Sequence, residues 1–325
     1  MSGASVPEFA FELALCARLE ATTDWLPARQ LGGGVAAPTG RVIDVCAVVP
    51  GPGFGARAAL TDGTIPAPVL AADVGVGEAV PAAAAFDCPP GRREAAIDRA
   101  VELGVLDRGR RNGRTTVRRT ARYPEDWFDR LIAVENKPDL DRPGALRRQL
   151  RHDAALGLFD EVVLATADHV TGAHLNRLPD PVGVWRVDPA TGERTVVREP
   201  AALPVGEPGI EPVAERADRT DVAVVPPAEK ARARRRIAER AYGKGWRTYE
   251  PPPCARAGTT DDGRPRCAHF DRVVDPATDC GPDCPGFERA APPDLDRAAL
   301  RDARTPWVAD PEGTARRQAG LDRFG

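Results

Sequence analysis

The most informative segment of the sequence for the fold is residues 131–166, LIAVENKPDLDRPGALRRQLRHDAALGLFDEVVLAT. Residues 131–136 and 162–165 are apolar runs with several β-branched side chains, a composition that indicates strands. Between them, Asp141 followed closely by a proline is typical of a helix start, and Gly157 is typical of a helix end. A strand, a helix and a strand in this order form a βαβ unit. We therefore predict two parallel strands joined by a right-handed crossover.

The segments on either side of this unit extend the predicted sheet. Residues 8–20 place apolar side chains four positions apart, which predicts a helix. Residues 26–31 and 41–49 are predicted strands. Residues 182–187 and 195–198 predict a hairpin, because the turn-forming sequence DPATG separates them. Together these elements predict an α/β protein with a mixed sheet flanked by helices.

Length and composition predict several parts around this core. The chain has 325 residues with 33 prolines and 31 glycines, which is enough for more than one domain and predicts many turns. Residues 50–90 are rich in Ala, Pro and Gly and are predicted to be irregular. The predicted parts are a core of residues 1–50 and 131–200, an insertion of residues 51–130, a linker of residues 201–229, a basic helix of residues 230–250, a cysteine-rich module of residues 251–290 and a polar tail of residues 291–325.

Two predicted strands carry residues suited to phosphodiester chemistry. Strand alternation puts Glu135 and Lys137 on one face, and Lys137 is one of only three lysines in the chain. Asp44 has apolar neighbours on both faces of its strand, so its carboxylate is expected to be partly buried and to need a cation or hydrogen-bond donors. If the two strands are adjacent, Asp44 and Glu135 can share a metal. Carboxylate oxygens suit Mg²⁺ or Mn²⁺, and a nearby lysine can position or activate water.

The order of these elements resembles the PD-(D/E)XK nuclease superfamily, which has a restriction-endonuclease-like fold. The matching residues are Glu12, Asp44, Glu135-Asn136-Lys137 and Gln149. The resemblance implies metal binding by Asp44 and Glu135, water activation by Lys137, and support from Glu12 and Gln149. Glu8 competes with Glu12 for the acidic position on the first helix. The chain also resembles uncharacterised proteins of salt-loving archaea.

The resemblance covers residues 8–50 and 131–200, and the long insertion between Asp44 and Glu135 departs from the usual family pattern. The alternative interpretation is a surface ion pair between Glu135 and Lys137 at a strand end. For Gln149 the alternative is an ordinary solvated helix residue.

The insertion contains a dense run of positive charge, which we call the arginine ribbon, residues 108–122. The ribbon has seven arginines and no acidic residue: Arg108, Arg110, Arg111, Arg114, Arg118, Arg119 and Arg122. A predicted helix at residues 93–103, the turn Asn112-Gly113 and a predicted strand at residues 115–120 suggest a winged-helix-like unit. Arginine pairs well with phosphate oxygens, so we predict that the ribbon contacts the DNA backbone without reading bases. The alternative is a solvated surface neutralised by acids elsewhere.

The cysteine-rich module has too few apolar residues to form its own core, which favours a metal as its organiser. Its cysteines are Cys254, Cys267, Cys280 and Cys284. Four thiolates satisfy one tetrahedral zinc, and His269 offers a fifth ligand. An iron-sulfur cluster and unliganded thiols are the alternatives. The remaining cysteines, Cys16, Cys46 and Cys88, are expected to be small buried residues.

These observations predict a cytoplasmic Mg²⁺-dependent deoxyribonuclease whose partner is DNA. A homodimer is one oligomeric state to test. No apolar run is long enough to span a membrane, and the N-terminal residues do not form a secretory signal. One alternative is a catalytically inactive nucleic-acid-binding or regulatory protein on the same scaffold. Another is an adaptor that binds other proteins.

Overall fold

The structure of the protein, a computed structural model, describes residues 7–304 except Pro38, residues 142–143 and Ala217. The predicted polar tail is therefore described only as far as its first helix, and the predicted helix-starting proline lies outside the described residues. The helices are α1 Glu8–Thr22, α2 Phe54–Ala58, α3 Ala67–Ala71, α4 Ala82–Ala85, α5 Pro90–Glu102, α6 Leu146–Leu156, α7 Gly172–Leu175, α8 Pro227–Lys244 and α9 Arg297–Arg304. The strands are β1 Leu26–Gly32, β2 Val42–Pro50, β3 Val80–Pro81, β4 Leu106–Arg111, β5 Arg114–Arg119, β6 Phe128–Asn136, β7 Glu161–Thr166, β8 Gly183–Val187, β9 Arg194–Arg198, β10 Gly209–Glu215, β11 Thr220–Val225, β12 Ala257–Thr259, β13 Pro265–Cys267 and β14 Arg272–Val273.

A six-stranded mixed sheet in the order β1-β2-β6-β7-β8-β9 forms the centre of the molecule. Strands β6, β7 and β8 are parallel, whereas β1, β2 and β6 pair antiparallel, as do β8 and β9. The predicted α/β class, the βαβ unit formed by β6, α6 and β7, and the β8–β9 hairpin are thus confirmed. Helix α6 begins at Leu146, later than the Asp141 signal predicts, and ends at Gly157 in the left-handed conformation.

Strand β6 is buried on both faces, and alternate residues feed two separate cores. Leu131 and Ala133 pack with side chains of α6 and α8, whereas Ile132 and Val134 pack with side chains of α1. Helices therefore cover both faces of the sheet. Glu135 lies on the same face of β6 as Leu131 and Ala133, so its side chain is on the side of the sheet that α6 covers.

The insertion forms its own small unit, which differs from the irregular segment that we predicted for residues 50–90. Helices α2, α3 and α4 and strand β3 lie there, and β3 joins the later strands in the three-stranded sheet β3-β5-β4. A third apolar core, which includes Val69, Ile97 and Val117, holds α3, α4, α5 and this sheet together, whereas the buried residues of α2 belong to the core that contains α8. Asn112 and Gly113 both have positive φ, as a tight hairpin turn between twisted strands requires. These helices were not predicted because their short stretches of Ala and Pro show no clear helical periodicity of apolar residues.

The segment predicted as a linker, residues 201–229, contains the antiparallel hairpin β10–β11. Fully buried Glu211 anchors this hairpin, because its carboxylate accepts the backbone N–H groups of Val35, Ala36 and Ala37 at 2.7–3.2 Å. The predicted basic helix is α8, which ends at Lys244 and does not reach residue 250. The predicted polar tail begins with α9. No helix in the described part of the chain is long and apolar enough to cross a membrane.

Candidate active site

The pairing of β2 with β6 brings the two predicted metal-binding carboxylates together. Val45 lies opposite Val134, so the antiparallel register places Asp44 beside Glu135. The insertion between the two strands folds as a separate unit and does not disturb this pairing. The conditional prediction that the strands are adjacent is confirmed.

An open cleft of about 450 Å³ lies at this end of the sheet. All five residues predicted for catalysis line it: Glu12, Asp44, Glu135, Lys137 and Gln149. Glu8, Arg29 and Gln30 line it as well. The lining therefore carries four carboxylates and two cationic side chains, an excess of two negative charges when all are ionised. One divalent cation would neutralise that excess.

Asp44 is half-buried at the floor of the cleft. Its Oδ2 accepts the backbone N–H of Asn136 at 2.9 Å. Among the residues that the structure describes, no cationic side chain forms an ion pair with it. Burial is the main cause that raises the pKa of Asp44, and the Asn136 N–H and Arg41 oppose that rise. Asp44 therefore matches the expectation of a partly buried carboxylate that needs a cation or hydrogen-bond donors, and the Asn136 N–H is one such donor.

Glu135 is buried and shares a cation with a third carboxylate. Arg41 Nη2 lies 2.6 Å from Glu135 Oε2 and 2.7 Å from Asp153 Oδ2, and Arg41 Nε donates to Asp153 Oδ1 at 3.0 Å. Burial, followed by the charge of Asp44, raises the pKa of Glu135 to about 7, although Arg41 opposes the rise. A single guanidinium between Glu135 and Asp153 leaves this carboxylate group under-neutralised.

Sequence reasoning missed both Arg41 and Asp153. Arg41 immediately precedes β2. Asp153 lies one helical turn after Gln149 on α6, so the side chains of Gln149 and Asp153 lie on the same face of that helix. The spacing of Gln149 and Asp153 was the available signal on the helix. Nothing in the sequence connects Arg41 to either carboxylate.

The two acids of α1, Glu8 and Glu12, have different partners. Buried Glu12 forms an ion pair with Arg29 and accepts weak hydrogen bonds from Gln30 Nε2 at 3.4 Å. Exposed Glu8 lies 3.6 Å from Lys137 Nζ. Both acids line the cleft, but only Glu8 contacts the predicted catalytic lysine.

Gln30 is a further site residue that the sequence did not indicate. It stands opposite Asp44 in the β1–β2 register, since Arg29 pairs with Val45 and Leu31 with Ile43. Its φ is 53°, a left-handed conformation that is costly for a residue with a side chain. Lys244 holds this turn of backbone, because its Nζ donates to the Arg29 and Gln30 carbonyls at 2.7 and 2.8 Å.

The arginine ribbon is partly neutralised within the folded insertion. Arg108 lies 2.5 Å from Asp98, Arg111 lies 3.2 Å from Glu78, and Arg118 lies 2.9 Å from Asp107. Arg119 is half-buried and donates to the carbonyls of Val69, Ala72 and Val74. Arg110, Arg114, Arg119 and Arg122 lack an ion-pair partner among the described residues. The charge available to a ligand is therefore smaller than the sequence indicates.

The four cysteines of the C-terminal module line one small cavity of about 20 Å³. Cys254 Sγ accepts the backbone N–H groups of Arg256 and Glu288, each at 3.4 Å. Burial, and after it the neighbouring Cys267, raises the pKa of Cys280 to about 11. His269 is not among the residues that line the cavity.

No three Cys, His, Asp or Glu side chains within the described ranges already form a group that could hold a metal ion. Of the other cysteines, Cys16 and Cys46 are buried as predicted, whereas Cys88 is only half-buried.

The fold and the site together define a mixed α/β protein with an acidic cleft at the end of its central sheet. The profile of one protein family, described as "Family of unknown function (DUF5787)", matches residues 26–289. The match spans most of the chain, from β1 through the cysteine module, so the protein belongs to this family. Glu8 and Glu12 precede the matched residues. Comparison with curated proteins and with solved structures gives no match.

Proposed function

We propose that the protein is a divalent-cation-dependent deoxyribonuclease of the PD-(D/E)XK type. The observation that carries this proposal is the placement of Asp44 beside Glu135 on adjacent strands, with Lys137 lining the same cleft. The sheet order and the flanking helices agree with the restriction-endonuclease-like fold that the sequence resemblance implied. The insertion, with a helix and a β4–β5 hairpin, agrees with a winged-helix-like unit.

Mg²⁺ or Mn²⁺ fits the residues at this position. The cleft offers carboxylate oxygens, which hard divalent cations prefer, and its lining carries an excess of two negative charges. Asp44 and Glu135 are the residues that would hold the ion, and Oε1 of Glu135 has no hydrogen-bond partner in the described residues. The bound ion would polarise a phosphate and acidify a water.

The surrounding side chains have separate roles in this proposal. Lys137 Nζ donates to a phosphate oxygen and stabilises negative charge that develops there. Arg41 orients Glu135 through a short ion pair that Asp153 holds in place. Gln149 supplies an uncharged donor from α6, and the Glu12–Arg29 pair keeps the far wall of the cleft neutral.

Cleavage of labelled single- and double-stranded DNA in Mg²⁺ tests the proposal. We expect Asp44→Asn and Glu135→Gln each to abolish cleavage, and Lys137→Ala to lower kcat by about 100-fold or more. Asp129→Asn is the matched control, since Asp129 is an exposed carboxylate at the opposite end of β6. Wild-type protein that never cleaves, or an Asp44→Asn variant that cleaves normally, contradicts the proposal.

A second candidate is a nucleic-acid-binding protein that has lost catalysis. The ion pair between Arg41 and Glu135 favours it, because a cation already occupies one oxygen of the expected metal ligand. This candidate requires DNA binding that does not change on addition of Mg²⁺. The nuclease requires cleavage that EDTA removes.

We also propose that the cysteine module binds one zinc ion through Cys254, Cys267, Cys280 and Cys284. Support comes from the single cavity that all four thiols line and from the two N–H groups directed at Cys254 Sγ. Backbone donors of this kind stabilise a thiolate, which is the form that binds metal.

A further inference from the structure

A second pocket lies between α3, the start of α5 and α8. We call it the α8 pocket, and its volume is about 300 Å³. This size is at the lower end of the range for small-molecule sites. The buried ion pair of Arg57 with Glu239, at 2.6 Å, holds the insertion against α8 and so fixes the walls of the pocket.

The charges that line the α8 pocket are mainly positive. They belong to Arg92, Arg232, Arg235, Arg236, Asp87 and Glu229. Arg232 and Arg236 lie one turn apart on α8, and Arg240 continues the row by another turn. Burial is the first cause that lowers the pKa of Arg236, and the nearby charges of Arg240 and Arg92 lower it further. The arginines therefore approach each other closely enough to repel.

These arginines are also less neutralised than those of the ribbon. Arg92, Arg232 and Arg240 have no ion-pair partner among the residues that the structure describes. Arg235 reaches Glu125 only at 4.0 Å, and Arg236 Nη2 donates to the Gly34 carbonyl at 3.1 Å. Unpaired guanidinium groups around one cavity are suited to an anion with several oxygens, because the planar fork of arginine matches phosphate.

The floor of the pocket is apolar. Val35, Ala67, Pro68 and Leu70 line it, together with Ala233 of α8. Inorganic phosphate would gain nothing from such a floor, whereas a phosphate joined to a flat or apolar body would bury that body against it.

We propose that the α8 pocket binds a nucleotide unit, with its phosphate at Arg92, Arg232 and Arg236 and its base against the apolar floor. The unit can come from a free mononucleotide or from a nucleic-acid strand. This site is separate from the cleft around Glu135, and its ligand need not be cleaved.

The test measures binding of two probes to the full chain in EDTA at low salt. The probes are adenosine 5′-monophosphate and a short fluorescent single-stranded oligonucleotide without a terminal phosphate, and inorganic phosphate is the reference. We expect Arg92→Gln/Arg232→Gln to weaken binding about tenfold or more. The matched control, Arg18→Gln/Arg186→Gln, removes the same charge from two exposed positions elsewhere and should bind as wild type does.

The outcomes separate the two sources of the nucleotide. If the monophosphate binds and the oligonucleotide does not, the ligand is a free nucleotide. If the oligonucleotide also binds and the pocket variant flattens its salt dependence by roughly 0.7 per lost contact, the pocket holds part of a strand. The proposal is overturned if neither probe binds wild type, if the pocket variant matches the control, or if phosphate binds as tightly as the monophosphate. None of these results depends on phosphodiester cleavage.

Discussion

Glu135 makes the stability of the metal-free protein fall as pH rises, the opposite of the trend for an ordinary salt-bridged acid. Its pKa is raised from the ordinary value of 4.5 to about 7, by burial first and by Asp44 second. The folded protein therefore holds this proton more tightly than the unfolded chain does. The stabilisation is fully present below pH 4.5 and is lost as pH rises through 7. At 1.36 kcal/mol per pKa unit, it amounts to about 3 kcal/mol.

Urea unfolding in EDTA at about pH 5 and about pH 8 measures this effect. Tryptophan fluorescence reports the transition, because Trp127, Trp185 and Trp246 are buried in the folded protein. Glu135→Gln removes the titrating group and leaves Arg41 paired with Asp153. Other buried acids, including Glu12, titrate in both proteins. The difference in pH-dependent unfolding free energy between wild type and the variant therefore isolates the contribution of Glu135. We expect wild type to lose roughly 2 to 3 kcal/mol more than the variant between the two pH values.

A divalent cation should reverse the loss, because it binds the ionised carboxylates. At about pH 8, Mg²⁺ at roughly 100 times its dissociation constant should return about 2.7 kcal/mol to wild type and little to Glu135→Gln. Equal pH dependence in the two proteins refutes the reasoning about Glu135. A Mg²⁺ effect of equal size in both proteins refutes its role as a ligand.

Three further variants test other parts of the molecule. Arg41→Met should lower the free energy of unfolding in urea by about 3 to 5 kcal/mol, because it leaves the buried carboxylates of Glu135 and Asp153 without a cation. The control is Arg151→Met at an exposed position of α6, and an equal cost in both variants would contradict the ion-pair argument. Arg110→Gln/Arg114→Gln should weaken DNA binding equally across sequences and lower the log-log salt slope by roughly 0.7 to 0.9 per contact, whereas an unchanged slope would mean that the ribbon is only a solvated surface. Cys254→Ser should remove the zinc that elemental analysis finds in the wild-type protein. A brown wild-type protein would indicate an iron-sulfur cluster instead, and a module that is folded without any metal would exclude both.

The core elements of this protein could be predicted because their signals are local. Strand alternation places Glu135 and Lys137 on one face without reference to the rest of the chain. The same holds for the helix of Glu12 and for the turn at Asn112-Gly113. The β10–β11 hairpin was missed because a buried contact from Glu211 to a distant loop stabilises it, and its own composition resembles a linker.

The candidate site was predictable in its residue types but not in its electrostatics. The sequence alone predicted that Asp44, Glu135 and Lys137 share one site, and the structure places all three in one cleft. It could not show that Arg41 lies between Glu135 and Asp153, because these two ion pairs join residues 94 and 112 positions apart. It also could not show that acids outside the ribbon neutralise Arg108.

The sequence by itself therefore determined the elements of the central sheet, the βαβ unit and most of the charged residues in the cleft, although it did not indicate Arg29. Only the tertiary structure showed which charges lack an ion-pair partner among the described residues, and it revealed a second cluster of such arginines in the α8 pocket. The physical reason is that backbone periodicity depends on neighbours three or four residues away. The pKa of a carboxylate and the free charge of an arginine depend instead on whatever side chains the fold brings within a few ångströms.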